Sequence, residues 1–243
     1  MNCLLFTQEQ IVSADNEFLL RVRLDQRQLQ HLHEVHRAQL GDTLRVGLLG
    51  GRLGEGSIVE LSHDHAELNV RLTHDAPVKT GATLLLALPR PKMLKRIVQM
   101  VCTLGVDHLV LLNSYRVEKS YWQSPFLTAD ALHEQLLLGL EQAGDSVLPK
   151  VTLAQRFKPF VEDDLPAMLQ GKQGFVAHPM AQALPCPCNL TTPLVLAIGP
   201  EGGFIPYEAE KLQAAGMQVI SLGPRILRVE TAVAVALGRM LPT

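Results

Sequence analysis

The sequence predicts an α/β protein in two parts, a small β-rich N-terminal unit and a larger domain built on a parallel sheet. Three observations predict it. Residues 1–75 carry short strand patterns closed by turn signals, with one helix among them. From Ala82 onward, apolar strands alternate with amphipathic helices, the pattern of a parallel sheet covered on both faces. Charge divides the chain at the same place: basic residues exceed acidic ones by four in residues 76–130, while acids exceed bases by four before that segment and by two after it. With 243 residues, 47% hydrophobic content and a formal charge of −2, the chain is too apolar and too nearly neutral to be disordered. The low total also excludes a grip on nucleic acid by bulk charge, but it hides the basic excess between Lys79 and Lys119.

The elements follow in order. Glu17–Arg23, Thr43–Leu48, Glu55–Leu61 and Ala66–Thr73 read as strands, and Gly41-Asp42 and Gly50-Gly51 as turns. Asp25 can cap a helix whose Leu29, Leu32 and Val35 share a face. This predicts a small β-barrel over residues 1–75, and Asp75–Gly81 reads as a linker. In residues 76–243, Ala82–Leu88 is an apolar strand. Pro91 opens a helix that buries Leu94, Ile97, Val98, Val101 and Leu104 and stops at Gly105. Strands are expected at His108–Leu112, Val151–Gln155, Gly174–Ala177, Leu194–Ile198 and Gln218–Ser221, and helices at Ala129–Ala143, Tyr207–Ala215 and Glu230–Met240.

The first ten residues carry neither the basic start nor the apolar run of a secretory signal. The longest stretch free of charged residues, Gln173–Pro200, holds five prolines and is no membrane helix. A cytoplasmic protein with no membrane partner is expected. Cys3, Cys102, Cys186 and Cys188 form no disulfide framework, and Cys186-Pro187-Cys188 lacks the second half of a zinc site. His31, His33 and His36 share a helix without the i, i+4 spacing of zinc ligands, and no metal is expected.

Ligands of open α/β sheets sit beyond the carboxyl ends of strands, and two loops there carry unusual sequence. The first runs Ala197-Ile-Gly-Pro-Glu-Gly-Gly-Phe204, the second Ser221-Leu-Gly-Pro-Arg-Ile-Leu-Arg-Val-Glu-Thr-Ala232. Gly202-Gly203 allows close approach of backbone N–H and C=O groups to a ligand. Neither loop has a dinucleotide or phosphate-loop spacing, and Glu201 would repel phosphate, so a cofactor without phosphates fits better. Arg225, Arg228 and Glu230 read equally as a solvated face, an ion pair or a catalytic cluster, and an acid at Glu230 also suits a helix start.

These two motifs together resemble the small-subunit ribosomal RNA uracil-N3 methyltransferases of the trefoil-knotted SPOUT superfamily. His31-Leu-x-x-Val-x-Arg37-x-x-x-Gly41-Asp42, Leu104-Gly-Val106, Glu141-Gln-Ala-Gly144 and Glu208 extend the resemblance. It implies a PUA-like RNA-binding barrel over 1–75, then a SPOUT α/β domain over 76–243 with a C-terminal trefoil knot, acting as a homodimer on ribosomal RNA. It implies S-adenosylmethionine held by Leu196, Ile198, Gly199, Pro200, Glu201, Gly202, Gly203, Leu222, Gly223, Ile226, Leu227, Thr231 and Ala232. Arg228, Glu230 and Glu201 are the catalytic candidates, with Arg228 placed to stabilise charge on a uracil oxygen. Arg37, Arg90, Lys92, Lys95, Arg96 and Arg116 are the candidate RNA contacts, although Lys92, Lys95 and Arg96 read equally as the solvated face of a helix. The chain departs from the family pattern at Met100, Thr103, Tyr115, Asp145 and Val229, mostly on the RNA side, and keeps the cofactor loops. The rival functions are methylation at another RNA position, such as a ribose 2′-oxygen, and a non-catalytic RNA-binding or ribosome-assembly role.

Overall fold

Short alternating strands in the N-terminal sequence become a sheet whose inner strands bury alternate residues. The structure, a computed structural model, describes residues 2–180 and 182–242, with only the backbone of Val35 and His36. Two compact units result: Met1–Pro77 with Leu137–Leu148, and Val78–Leu136 with Pro149–Thr243.

The first unit holds β1 (Leu4–Phe6), β2 (Ile11–Asn16), β3 (Leu19–Arg23), α1 (Gln26–His31), β4 (Thr43–Leu48), β5 (Leu53–Leu61) and β6 (Ala66–His74). Among the described residues they form a six-stranded sheet in the order β1-β4-β5-β6-β3-β2, antiparallel except where β1 runs parallel to β4. The strand expected from Glu17 starts at Leu19, because Asn16 Oδ1 accepts from the backbone of Phe18 and Leu19 and makes a turn there. Phe6, Val22, Val46, Ile58 and Leu68 fill the core. Asp25 caps α1 as expected: its side chain accepts from the Gln28 N–H at 2.8 Å, and Gln28 Oε1 accepts from the Asp25 N–H at 2.8 Å. Leu29 and Leu32 are buried, while the Val35 and His36 side chains lie outside the described residues. Helix α1 widens into a π-turn over Leu32–His36 and ends at Arg37, whose φ is 48°.

Residues 137–148 join this unit through polar contacts. Arg27 donates two hydrogen bonds to the buried Glu141 carboxylate, at 2.9 and 2.7 Å. The Ser146 carbonyl accepts from the Gly50 N–H at 2.8 Å. Asp145, one of the departures from the family pattern, is buried and accepts from the Val147 N–H at 2.9 Å.

The second unit holds β7 (Thr83–Ala87), α2 (Pro91–Thr103), β8 (His108–Leu112), α3 (Ala129–Ala143), β9 (Lys150–Ala154), α4 (Phe157–Pro159), α5 (Leu165–Leu169), β10 (Gln173–Ala177), β11 (Leu184–Pro185), β12 (Leu194–Ile198), α6 (Pro206–Ala214), β13 (Gln218–Ser221) and α7 (Val229–Met240). Only the first part of α3 belongs to it. Among the described residues its sheet has seven strands, all parallel, in the order β11-β13-β10-β12-β7-β8-β9. Every residue of β7 and β12 is buried, as a strand covered on both faces must be. Among the described residues, no helix is long and apolar enough to cross a membrane.

Candidate functional site

Parallel strands end together, so their following loops meet at one edge of the sheet. Beyond β10, β12 and β13 those loops enclose a cleft of about 240 Å³. The β12 loop contributes Ile198–Gly203, and the β13 loop contributes Ser221–Gly223 and Arg225–Leu227. Val229 and Ala232 close it from α7. A third wall, Ala177-His178-Pro179 after β10, had no motif to announce it.

Local chemistry shapes the first loop. The Gly203 N–H donates to the Pro200 carbonyl at 2.7 Å, and Gly203 takes a φ of 71°, which an L side chain adopts at a cost. A Cβ on Gly199 would lie 2.9 Å from the Phe204 nitrogen, so the loop folds back on itself only with glycine there. Two arginines brace the same loop. Arg116 donates to the Gly202 carbonyl. The Arg90 N–H donates to Glu201 Oε1 at 3.2 Å, with the Arg90 Nε 3.8 Å from that oxygen.

Among the described residues lining the cleft, only His178, Glu201, Ser221 and Arg225 have polar side chains. Ser221 is turned to its own loop, where its Oγ accepts from the Gly223 N–H at 3.2 Å. The buried Nδ1 of His178 has no hydrogen-bond partner among the described residues. Burial, and then the charge of Arg116, holds this imidazole below its ordinary range, so it is neutral near pH 7.

The structure gathers Ile198–Gly203, Leu222, Gly223, Ile226, Leu227 and Ala232 at the cleft. Leu196, within β12, is fully buried and does not line the cleft, and Thr231 is exposed one residue before Ala232. Arg228 is the exposed residue preceding α7, and Glu230 stands half-buried in its first turn. The basic residues have different surroundings. Arg90 and Arg116 hold the Gly202 loop, and Lys95 Nζ lies 4.0 Å from the centre of the Phe126 ring. Lys92 and Arg96 are exposed on α2, and Arg37 is exposed in the first unit.

Glu60, His65 and Glu67 are the one group of potential metal ligands within reach of each other among the described residues. Arginines already answer their charge. Glu67 accepts from Arg21 at 2.6 Å and Arg23 at 2.9 Å, and Arg21 also pairs with Glu60. Cys186 and Cys188 are free thiols, the first buried and the second exposed.

Fold and cleft define an open parallel α/β domain with a cleft at the carboxyl ends of its strands. The chain belongs to the RNA methyltransferase domain family, whose model matches residues 76–241. It is 30% identical to the ribosomal RNA small subunit methyltransferase E of Synechocystis, over 96% of this chain and 74% of that protein. Its identity to the protein of the same name from Treponema pallidum is 27%, over 99% of this chain and 91% of the relative. The ribosomal RNA small subunit methyltransferase E of Neisseria gonorrhoeae, solved bound to S-adenosyl methionine, shares the fold with a TM-score of 0.73 at 21% identity, covering 98% of this chain and 95% of that one.

Proposed function

We propose that the protein is an S-adenosylmethionine-dependent methyltransferase that methylates N3 of a uridine in 16S ribosomal RNA. The cleft carries this reading. It is narrow, rich in backbone donors and acceptors, and has apolar walls at Ile198, Leu227 and Ala232. Such a lining suits an adenosine and a thioether chain better than a phosphate, and His178 adds a neutral imidazole to it. When bound, the cofactor supplies an electrophilic methyl group for in-line displacement. The chain's own residues must hold the acceptor nitrogen in line and manage its proton.

Arg228 is assigned to the uracil carbonyl oxygen, where negative charge grows as N3 loses its proton. Glu201 is engaged by Arg90 and acts as a positioning residue. That leaves Glu230, two residues from Arg228 on the first turn of α7, as the proton acceptor. Residues 1–75 serve as a PUA-like barrel for RNA, and residues 76–243 as the SPOUT domain. A trefoil knot at the C-terminus is supported by the N–H groups of Asn189 and Leu190, which donate to the carbonyls of Arg239 and Met240 at 2.9 and 2.7 Å. A homodimer is supported by Ile226, 94% exposed at the cleft rim, which a second copy would cover. The protein acts in the cytoplasm, where ribosomal RNA is made in bacteria.

Mass spectrometry of ribosomal RNA from a deletion strain tests the assignment. The expected result is loss of one N3-methyluridine from the small-subunit RNA. Loss of a ribose methyl group instead, or unchanged RNA, overturns it.

A further inference from the structure

We propose that a second cavity, beyond the carboxyl ends of β8 and β9, holds an RNA nucleotide flanking the target uridine. This inference rests on RNA being the substrate. The cavity measures about 500 Å³ and shares no lining residue with the cleft.

Its wall is aromatic. Tyr115 and Trp122 come from the segment after β8, Phe157 from the segment after β9 and Tyr207 from α6. The chain has one tryptophan and three tyrosines, so this cavity gathers the single indole and two of the three phenols. Rings that serve only as core would be covered, yet Tyr115 is 79% and Tyr207 46% exposed. Exposed rings around a cavity form a stacking platform for bases, since every base offers a π-face. Trp122 is fixed in its place by donating from Nε1 to Asn113 Oδ1 at 2.9 Å.

The polar groups fit the same ligand. Lys119 and Lys158 stand at the cavity. Lys119 has no ion pair among the described residues. Lys158 Nζ is 4.0 Å from Glu162, a carboxylate that Lys211 already holds at 2.8 Å. The Lys119 ammonium is therefore available to a phosphate, and Lys158 is held only at the outer limit of an ion pair. Glu208 lines the cavity without opposing this, because its two oxygens accept from the N–H groups of Tyr115 at 2.7 Å and Ile205 at 3.0 Å. Ser114, only 3% exposed, lines the cavity with an Oγ that has no partner among the described residues.

Continuity with the cleft identifies the ligand as a strand rather than a free nucleotide. One segment supplies both sites: Gly199–Gly203 lines the cleft, and Ile205, Tyr207 and Glu208 line the cavity. Gly203 and Ile205 are two residues apart, at most ~7 Å of extended chain, a distance that adjacent nucleotides span. Arg116, next to Tyr115, donates to Gly202 and ties the two walls together.

Trp122 is the only indole in the chain and reports the site directly. A single-stranded RNA hexamer containing uridine is titrated into the full-length protein without cofactor, while Trp122 fluorescence and the anisotropy of labelled RNA are followed. Saturable quenching is expected. The double variant Tyr115→Ala, Lys158→Gln should raise the Kd by about 10-fold or more, the scale of a lost stacking contact. Both residues are exposed, so the variant folds. RNA binding without quenching, a Kd unmoved by the double variant, or no RNA binding overturns the proposal. Methyl transfer is scored separately: transfer with an unmoved Kd removes only the second nucleotide site, and quenching without transfer removes only the assigned reaction.

Discussion

The two sheets place their charged residues differently. In the antiparallel unit, charge sits on the strands: Arg21 and Arg23 on β3 face Glu60 on β5 and Glu67 on β6. In the parallel unit, β7 and β12 are buried along their whole length, and chemistry begins only where the strands stop. An antiparallel sheet with one wet face can spend side chains on recognition anywhere along it. A parallel sheet covered on both faces cannot, so its open polar groups are gathered at the edge where the strands end. The largest expected effect tests that edge. Arg228→Ala should lower kcat by ~100-fold or more, as removal of an oxyanion donor does. Cofactor affinity, measured by calorimetry, should stay nearly unchanged. Wild-type turnover would remove Arg228 from the chemistry.

The strands behind the edge answer to stability instead. Leu85, at the centre of β7, is fully buried. Leu85→Ala should cost about 3 kcal/mol, the transfer loss of the side chain plus an unfilled cavity. Urea unfolding measures it. A cost under about 1 kcal/mol would mean that the strand is packed less tightly than its burial implies.

The same contrast explains what the sequence disclosed. Strands β7, β8 and β12 were legible because burial on both faces demands apolar runs, and the two glycine loops because close backbone approach demands glycine. Strand β1 spans three residues, too few to show a period, and β2 is an edge strand with five of its six residues exposed. The helical stretch from Phe157 to Leu169 is cut by Pro159 and Pro166 and by a π-turn at Phe160–Asp164, which erase the 3.6-residue repeat. His178 has no motif around it, and enters the site only because β10 lies between β12 and β13. Among the basic residues, pattern could not tell a phosphate contact from Arg116, whose partner is a carbonyl 86 positions away. The aromatic cavity was invisible for the same reason, since its rings come from three separate segments.

His178 sharpens the comparison at a middle scale. Its imidazole is held neutral by burial and then by Arg116, and its Nδ1 awaits a partner. His178→Asn should weaken cofactor binding by about 10-fold, the loss of one buried hydrogen bond. Acid adds a sign. A histidine with a lowered value stays neutral until the pH falls below its ordinary range, and protonation there would add positive charge to a cleft that would hold a cationic cofactor. Wild-type affinity should therefore fall on acidification, and the Asn variant should lose that dependence. An identical pH profile for both would show that His178 does not face the cofactor.

The smallest expected effect belongs to the antiparallel sheet. The Glu67 carboxyl is held below its ordinary range, first by the hydrogen bond from Arg21 and then by Arg23, against the opposing cost of burial. With the folded value lowered, the unfolded chain binds the extra proton as acid is added. The stabilisation is therefore complete above the ordinary glutamate range and drains away as pH falls through and below it. Glu67→Gln removes the titrating group, so the midpoint of thermal unfolding should fall slightly near pH 7 and converge on wild type toward pH 3. The variant leaves Arg21 paired with Glu60, which keeps the loss small. Equal acid sensitivity in both proteins would place the acid-labile pairing elsewhere.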